Sequence, residues 1–262
     1  ISGRIGENLE LQTNELETIR LSGLLHDIGH GPFSHVSEYF LEKYFDKTSE
    51  ELGSNRDRAK IHEFVTRDII SHNDELVKIL TDNEKEDILA LLISEDTRNF
   101  KRDIISGPLD ADKLDYLLRD SYYCGVRYGV YDLEKIIDSL KIIEIGDESY
   151  LGVDIEGIYA LEQLIIAKHH MTTQVYLHKI RGITDSMIIR GIELAIQEGL
   201  EELRTAFQYD GSRDFLDRYY RIHDNYVIDL IRKKGKDLSR DFFQRLFERR
   251  LFKVAYGKRI AD

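Results

Sequence analysis

Two prolines are all that interrupt 262 residues, and each stands directly after a glycine, at Gly31-Pro32 and Gly107-Pro108. Proline removes a backbone donor and clashes with the preceding turn, so a chain this poor in it can run as helix almost anywhere else. Apolar residues recur at helical spacing on both sides of those breaks. Leu16, Ile19, Leu24 and Ile28 fall close to one face, and Ile155, Ile158, Tyr159 and Leu161 open a second stripe continuing through Leu164 and Ile165; the spacing predicts two core helices. Similar patterns recur near 34–45, 60–71, 84–94, 110–123, 178–198, 213–232 and 238–247. The one convincing non-helical signal is a pair of short β-branched runs, 141–145 and 150–153, around the four-residue polar loop Gly146-Asp147-Glu148-Ser149, which predicts a hairpin. The expected class is therefore mainly α with one small β-hairpin near 141–153. Thr48 to Lys60 is polar and carries Gly53-Ser54-Asn55, so it reads as an exposed loop or insertion.

Charge narrows the function classes. Thirty-seven Lys and Arg face 49 Asp and Glu, a formal net charge of −12, which argues against a general nucleic-acid or anionic-membrane binder. No run of about 18 apolar residues exists, and Ile1-Ser2-Gly3-Arg4 lacks the pattern of a secretory signal. The single cysteine, Cys124, excludes an internal disulfide, so a reduced, cytoplasmic protein is expected. Against this acidic background, 232–259 holds eleven basic residues and three acidic ones, net +8. That segment reads either as a solvated basic helix face paired with the acidic body, or as an anion-binding surface for polyphosphate or a nucleic-acid strand. Tyr122-Tyr123-Cys124-Gly125 reads as packing at a helix end, with Cys124 a small buried apolar group.

The densest chemical signal is Leu24-Leu25-His26-Asp27-Ile28-Gly29-His30-Gly31-Pro32-Phe33-Ser34-His35, which holds three of the nine histidines. Apolar residues precede His26 and Asp27, placing an imidazole and a carboxylate at the buried end of a helix, where an uncompensated carboxylate is costly. A divalent cation would compensate it. Neighbouring helical positions diverge by about 100°, so the pair can share an ion only near the helix edge, with further ligands from elsewhere. The segment 109–120 offers four carboxylates, at Asp110, Asp112, Asp115 and Asp120, on a helix with an apolar face at Leu114, Leu117 and Leu118. Histidine and carboxylate on a hard or borderline cation suit phosphate-ester chemistry, because the ion polarises a phosphoryl oxygen and lowers the pKa of bound water.

On the string from His26 to His35, the neighbourhood of His62, Asp110 to Asp120 with its Asp-x-Asp-Lys-x-Asp-Tyr pattern, and Tyr176 to Met187, the chain resembles the HD-domain metal-dependent phosphohydrolases. Within them it is similar to the deoxynucleoside triphosphate triphosphohydrolases, which include bacterial dGTPases and the sterile-alpha-motif HD-domain dNTPase. The resemblance implies an HD-domain helical fold, with a catalytic domain over 1–200 and a C-terminal helical, basic extension over 201–262. It implies that His26, Asp27 and Asp112 ligate a divalent metal ion (Mg, Mn, Fe, Zn or Ni). The family's fourth ligand is a histidine on an earlier helix; this chain has none before His26, and that ligand is expected just upstream of Ile1. His30, His35, Glu38 and His62 are implied near the scissile phosphate as proton-handling or orienting groups.

Lys113 and Arg119 are implied at the polyphosphate, Tyr116 and Asp120 at the sugar, and Tyr176, His178 and Lys179 at base and phosphates. Leu177 departs from the glutamine of the better-known relative, so base recognition does not carry across. The implied activity is metal-dependent hydrolysis of a deoxynucleoside triphosphate to deoxynucleoside and triphosphate, by a homo-oligomer that an effector nucleotide could regulate. Two rivals stay open: an HD phosphodiesterase or nuclease acting on other nucleotides or a strand end, and a non-catalytic nucleotide sensor. The long helices from Thr184 onward, with Phe242, Phe243, Leu246, Phe247, Leu251 and Phe252, read as oligomer surface or as ordinary core.

Overall fold

A computed structural model describes residues 1–45, 61–93 and 99–253. The expected loop at Thr48–Lys60 and the end of the basic segment, from 254 onward, lie outside them. In chain order the helices are α1 (Ser2–Asn8), α2 (Thr13–Leu25), α3 (His35–Tyr44), α4 (Ile61–His72), α5 (Asp74–Ile79), α6 (Asp82–Ile93), α7 (Phe100–Ser106), α8 (Ala111–Tyr123) and α9 (Leu133–Asp138). The hairpin β1 (Leu140–Ile145) and β2 (Glu148–Val153) follows, then α10 (Ile158–Met171), α11 (Lys179–Gln197), α12 (Glu201–Phe207), α13 (Arg213–Tyr219), α14 (Asp224–Lys234) and α15 (Asp237–Phe247). The mainly helical class with one small hairpin is as expected. Among the described residues no helix is long and apolar enough to cross a membrane.

The chain divides into two compact units. The first comprises Ile1–Gly29 and Glu63–Tyr176. Its core gathers Ile5, Ile19, Ile104, Leu114, Leu117, Ile136 and Leu164 from α1, α2 and α7 to α10, with a satellite cluster of Leu25, Ile70, Leu80 and Ile88. Helix α2 starts at a capping box in which the Glu15 carboxylate accepts from the Gln12 N–H at 3.1 Å. Helix α8 starts after the Gly107-Pro108 break, where the Asp110 carboxylate caps it by accepting from the Lys113 N–H at 2.7 Å. These two starts aim the C-terminal end of α2 and the first turn of α8.

The second unit comprises His30–His62 and Leu177–Asp262. Phe40 stacks on Phe207 at 5.1 Å, Tyr209 meets Phe215 edge-on at 5.1 Å, and all four are at most 1% exposed. Helix α15 packs along α11, with Phe243 buried against Gly191, while Phe247 and Phe252 stay exposed. Phe243 is thus core, and part of that aromatic cluster is surface. Part of the basic stretch is paired: Lys234 with Glu202 at 2.6 Å, Lys233 with Asp229 at 3.3 Å and Arg245 with Asp241 at 2.6 Å.

Several local expectations are corrected. The hairpin turn has two residues, because Ile145 pairs directly with Glu148 and Gly146 takes φ +66°, which lets a tight turn follow the strand twist. The helical pattern over 213–232 splits at 220–223, where the His223 side chain accepts from the Tyr226 N–H and starts a new helix. Leu24 and Ile28 are exposed: α2 buries the Ile19, Ser22 and Leu25 phase, and Ile28 lies past its end. Ile155, Tyr159 and Ile165 are exposed too, since α10 turns Ala160, Leu164, Ala167 and Met171 inward. Tyr122 and Tyr123 are each 80% exposed, and Cys124 is exposed rather than buried. Periodicity identifies residues that share a face; it does not say which face is covered.

Candidate functional site

In the first unit, α2 ends where the backbone turns through His26 to Gly29. The Thr66 hydroxyl holds that turn, accepting from the Gly29 N–H at 3.0 Å and donating to the His26 carbonyl at 3.3 Å. His26 Nδ1 lies 3.1 Å from the Gly23 carbonyl, which assigns the ring proton to Nδ1 and leaves Nε2 with a free lone pair in the neutral imidazole. Nε2 is buried without a hydrogen bond, yet lies 3.5 Å from Asp27 Oδ2 and 3.7 Å from Asp112 Oδ1. One ligand atom from each of the three lies within 4.8 Å of the others. Ligands bonded at about 2.1 Å to one ion sit roughly 3 to 4 Å apart, so this donor set could hold a divalent cation. The carboxylates also act on each other's partner. Asp112, and then Asp27, favour the imidazolium and raise the His26 pKa against the opposing effect of burial. His26 in turn holds the Asp112 carboxyl below its usual value.

Beside this group is a cavity of about 210 Å³ lined by Ile1, Ser2, Gly23, His26, Ile105, Ala111, Asp112, Asp115 and Arg119. Asp115 and Arg119 pair across one helical turn at 2.8 Å. Lys113, by contrast, is tied down locally, with its ammonium on the Asp110 carboxylate and on the Gly107 carbonyl at 3.0 Å. Burial raises the Asp110 carboxyl, the Lys113 contacts opposing it. Further along α8, Tyr116 meets Tyr176 edge-to-face at 5.9 Å, and the Tyr176 hydroxyl donates to Asp120 Oδ2 at 2.9 Å. Tyr176 reaches that position through a wide π-turn over Thr172–Tyr176 at the end of α10. Burial raises the phenol pKa of both tyrosines.

The second unit carries a group of histidines of its own. Glu38, in the first turn of α3, accepts from the Ile61 N–H at 2.6 Å, and its second oxygen lies 2.7 Å from His62 Nδ1. His62 is 5% exposed and stacks on His30 at 3.9 Å; His35 meets His30 edge-on at 5.2 Å. Burial by itself would raise the Glu38 carboxyl, but His62 and the N–H groups at 61 and 62 outweigh it and hold the value down. The loop between His30 and His35 is strained, with φ +60° at Phe33 and +52° at Ser34. Asp224 Oδ1 fastens it by accepting from the Phe33 N–H at 2.9 Å, and Ser37 Oγ accepts from the Gly31 N–H at 3.2 Å. His178 caps α11, accepting from the Ile180 N–H, and Lys179 follows it on an exposed turn.

Within the first unit the structure brings together His26, Asp27 and Asp112, and also Tyr116, Asp120 and Tyr176; within the second it brings together His30, His35, Glu38 and His62. Sequence reasoning did not single out Thr66 or Asp224, and gave Asp115 no role beyond its place among the four carboxylates of 109–120. Asp115 had a signal, its place inside Asp-Lys-x-Asp-Tyr; Thr66 and Asp224 are distant in sequence and had none.

Comparison with known proteins gives the family. The model for the HD domain matches residues 1–120 and that for the HD associated region matches 131–262. An uncharacterized protein of Methanocaldococcus jannaschii is 34% identical over 90% of this chain and 45% of its own length. The deoxynucleoside triphosphate triphosphohydrolase SAMHD1 homolog of Dictyostelium discoideum is 27% identical over 94% of this chain and 45% of its own. A phosphohydrolase of Bacteroides thetaiotaomicron superposes over 99% of this chain and 64% of its own with a TM-score of 0.75 and 25% identity. The chain spans less than half the length of these two curated relatives. The chain belongs to the HD-domain family that carries the HD associated region.

Proposed function

We propose that this chain forms the core of a metal-dependent phosphohydrolase that converts a deoxynucleoside triphosphate to deoxynucleoside and inorganic triphosphate. The observation that carries the reading is the buried, unbonded His26 Nε2 facing Asp27 and Asp112. HD domains bind divalent metals, and those three residues would hold the ion. A divalent ion supplies Lewis-acid polarisation of a phosphoryl oxygen and eases deprotonation of water. Hydrolysis adds water at the α-phosphorus and breaks its bond to the 5′ oxygen, which leaves with a proton as the nucleoside alcohol.

The chain's own groups have matching tasks. Arg119, held by Asp115 at the cavity, would offset polyphosphate charge, and Lys113 would do so on exchanging its Asp110 contact for substrate. Tyr116 and Asp120, braced by Tyr176, would bound the sugar. His178 and Lys179 are assigned to base and phosphates. Glu38 fixes the proton of His62 on Nδ1, so Nε2 can accept a proton or, once charged, donate one; His30 and His35 share that duty. A homo-oligomer and an effector nucleotide belong to the same proposal.

The test is a panel of deoxynucleoside and ribonucleoside triphosphates with Mg, Mn, Fe, Zn or Ni and full product analysis. Triphosphate release from deoxynucleotides is expected. Release of pyrophosphate or monophosphate, or turnover of cyclic nucleotides or strand ends alone, would replace this reading with the phosphodiesterase or nuclease one.

A further inference from the structure

The loop from Gly31 to Ser34 separates His30 from His35, so its placement sets where both imidazoles stand. Its backbone takes a shape that L-residues avoid, with φ +60° at Phe33 and +52° at Ser34 in succession, and such a shape lasts only where the surroundings over-determine it. Local ties give the loop its form: the Ser34 N–H donates to the Gly31 carbonyl at 3.0 Å, and the Ser37 hydroxyl donates to the Ser34 carbonyl at 2.6 Å. These ties join near neighbours, so they leave the loop free to swing as a body. What fixes it comes from far along the chain. Asp224 Oδ1, in the first turn of α14, accepts from the Phe33 N–H at 2.9 Å across 191 positions. The Phe33 ring lies 6.5 Å from that of Phe243 on α15, and the Tyr219 hydroxyl on α13 stands so close that a Cβ on Gly31 would sit 2.5 Å from it. Tyr219, Asp224 and Phe243 all belong to the HD associated region.

We infer that Asp224 is a positioning residue: through the Phe33 N–H it holds the His30–His35 loop so that His30 stacks on His62, and the HD associated region thereby sets the geometry of the proton-handling histidines. The task of those histidines rests on the hydrolase reading; the hold on the loop does not. The start of α14 does not account for this carboxylate, because the His223 side chain already caps that helix by accepting from the Tyr226 N–H. Asp224 serves the loop as an acceptor oxygen, a duty that an amide oxygen performs equally well. Its side chain is exposed, so removing it opens no hole in the core and the variants should fold. A proton donor or acceptor displaced by about 1 Å loses much of its effect on the rate, which is how a residue that touches no substrate reaches the reaction.

Two measurements on Asp224→Ala and Asp224→Asn test this. In NMR spectra of imidazole-labelled protein, the His30 and His62 ring protons of the unmodified chain should carry the mutual ring-current shift of rings stacked at 3.9 Å. Asp224→Ala should lose most of that shift, whereas Asp224→Asn, which keeps an acceptor oxygen, should retain it. With a deoxynucleoside triphosphate as substrate, Asp224→Ala should lower kcat about 10- to 100-fold and change KM less than about 3-fold, because the residues assigned to polyphosphate and sugar are not on this loop. Asp224→Asn should restore kcat. A merely structural role would lower the urea midpoint and leave kcat per folded molecule intact. A His30–His62 stack that survives Asp224→Ala, an unchanged kcat in that variant, or an equal loss in Asp224→Asn would overturn the inference. If the unmodified chain releases no triphosphate, the hydrolase reading fails alone, and the ring-current comparison still decides whether Asp224 holds the loop.

Discussion

His62 Nδ1 lies 2.7 Å from a carboxylate oxygen of Glu38, whose other oxygen accepts the Ile61 N–H that opens α4. One carboxylate thus orients a buried imidazole and closes a helix start. Glu38→Ala should cost about 2 to 3 kcal/mol in urea unfolding, since it strands a buried ring donor and a backbone donor together. The carboxyl is held below its ordinary value in the folded state, so its contribution is full above that ordinary value and is lost as pH falls through the folded one. The gap between the unmodified chain and Glu38→Gln should narrow over that acid range; a constant gap would mean the charge is irrelevant.

Asp112→Ala should abolish retention of a divalent metal through dialysis, with elemental analysis as the readout. Asp112 comes from α8, whereas His26 and Asp27 lie together at the end of α2, so its loss leaves two ligands on one turn. Stoichiometric metal in this variant would place the ion elsewhere.

Metal retention and metal-free stability should respond to pH in opposite directions. A ligating imidazole must be neutral, and the His26 pKa is raised above its ordinary value, so metal should begin to leave at a pH where an unperturbed histidine would still hold it. In the metal-free chain the imidazolium contact with Asp112 and Asp27 contributes stability that is full below the ordinary imidazole value. That contribution is lost as pH rises through the raised one. Elemental analysis across stepped pH, beside urea midpoints of the metal-free chain with and without Asp112→Asn, checks both slopes.

Gly31→Ala should destabilise by about 1 to 3 kcal/mol, because a Cβ there would sit 2.5 Å from the Tyr219 hydroxyl and 3.1 Å from the Ser37 side chain. Tyr219 is 5% exposed and cannot swing aside. Adding Tyr219→Phe removes the clashing oxygen and should recover part of the loss. Additive destabilisation in thermal melts would show that the strain lies in the loop backbone instead.

Local chemistry is where the sequence was most legible. Gly107-Pro108 directly follows the end of α7, Gly31-Pro32 falls in the stretch between α2 and α3, and Ala111–Tyr123 could be placed from its apolar spacing, because these effects act within a few residues. The family motifs named His26, Asp27 and Asp112 for the same reason: each sits in a short, specific string. The hairpin's turn length and the break at 220–223 were missed, because Gly146 and His223 act through backbone geometry that composition records only weakly.

What the amino-acid order determined by itself is the helical class and the donor types offered to a cation. Only the tertiary structure decided that Asp112 lies 3.7 Å from His26 Nε2 across 86 positions of chain, that Glu38 reaches His62 across 24, and that Tyr122, Tyr123 and one side of α10 face solvent. Periodicity assigns residues to faces through bonds between near neighbours. Which face meets another element depends on contacts closed over long loops, whose entropy cost is met only when the whole core assembles.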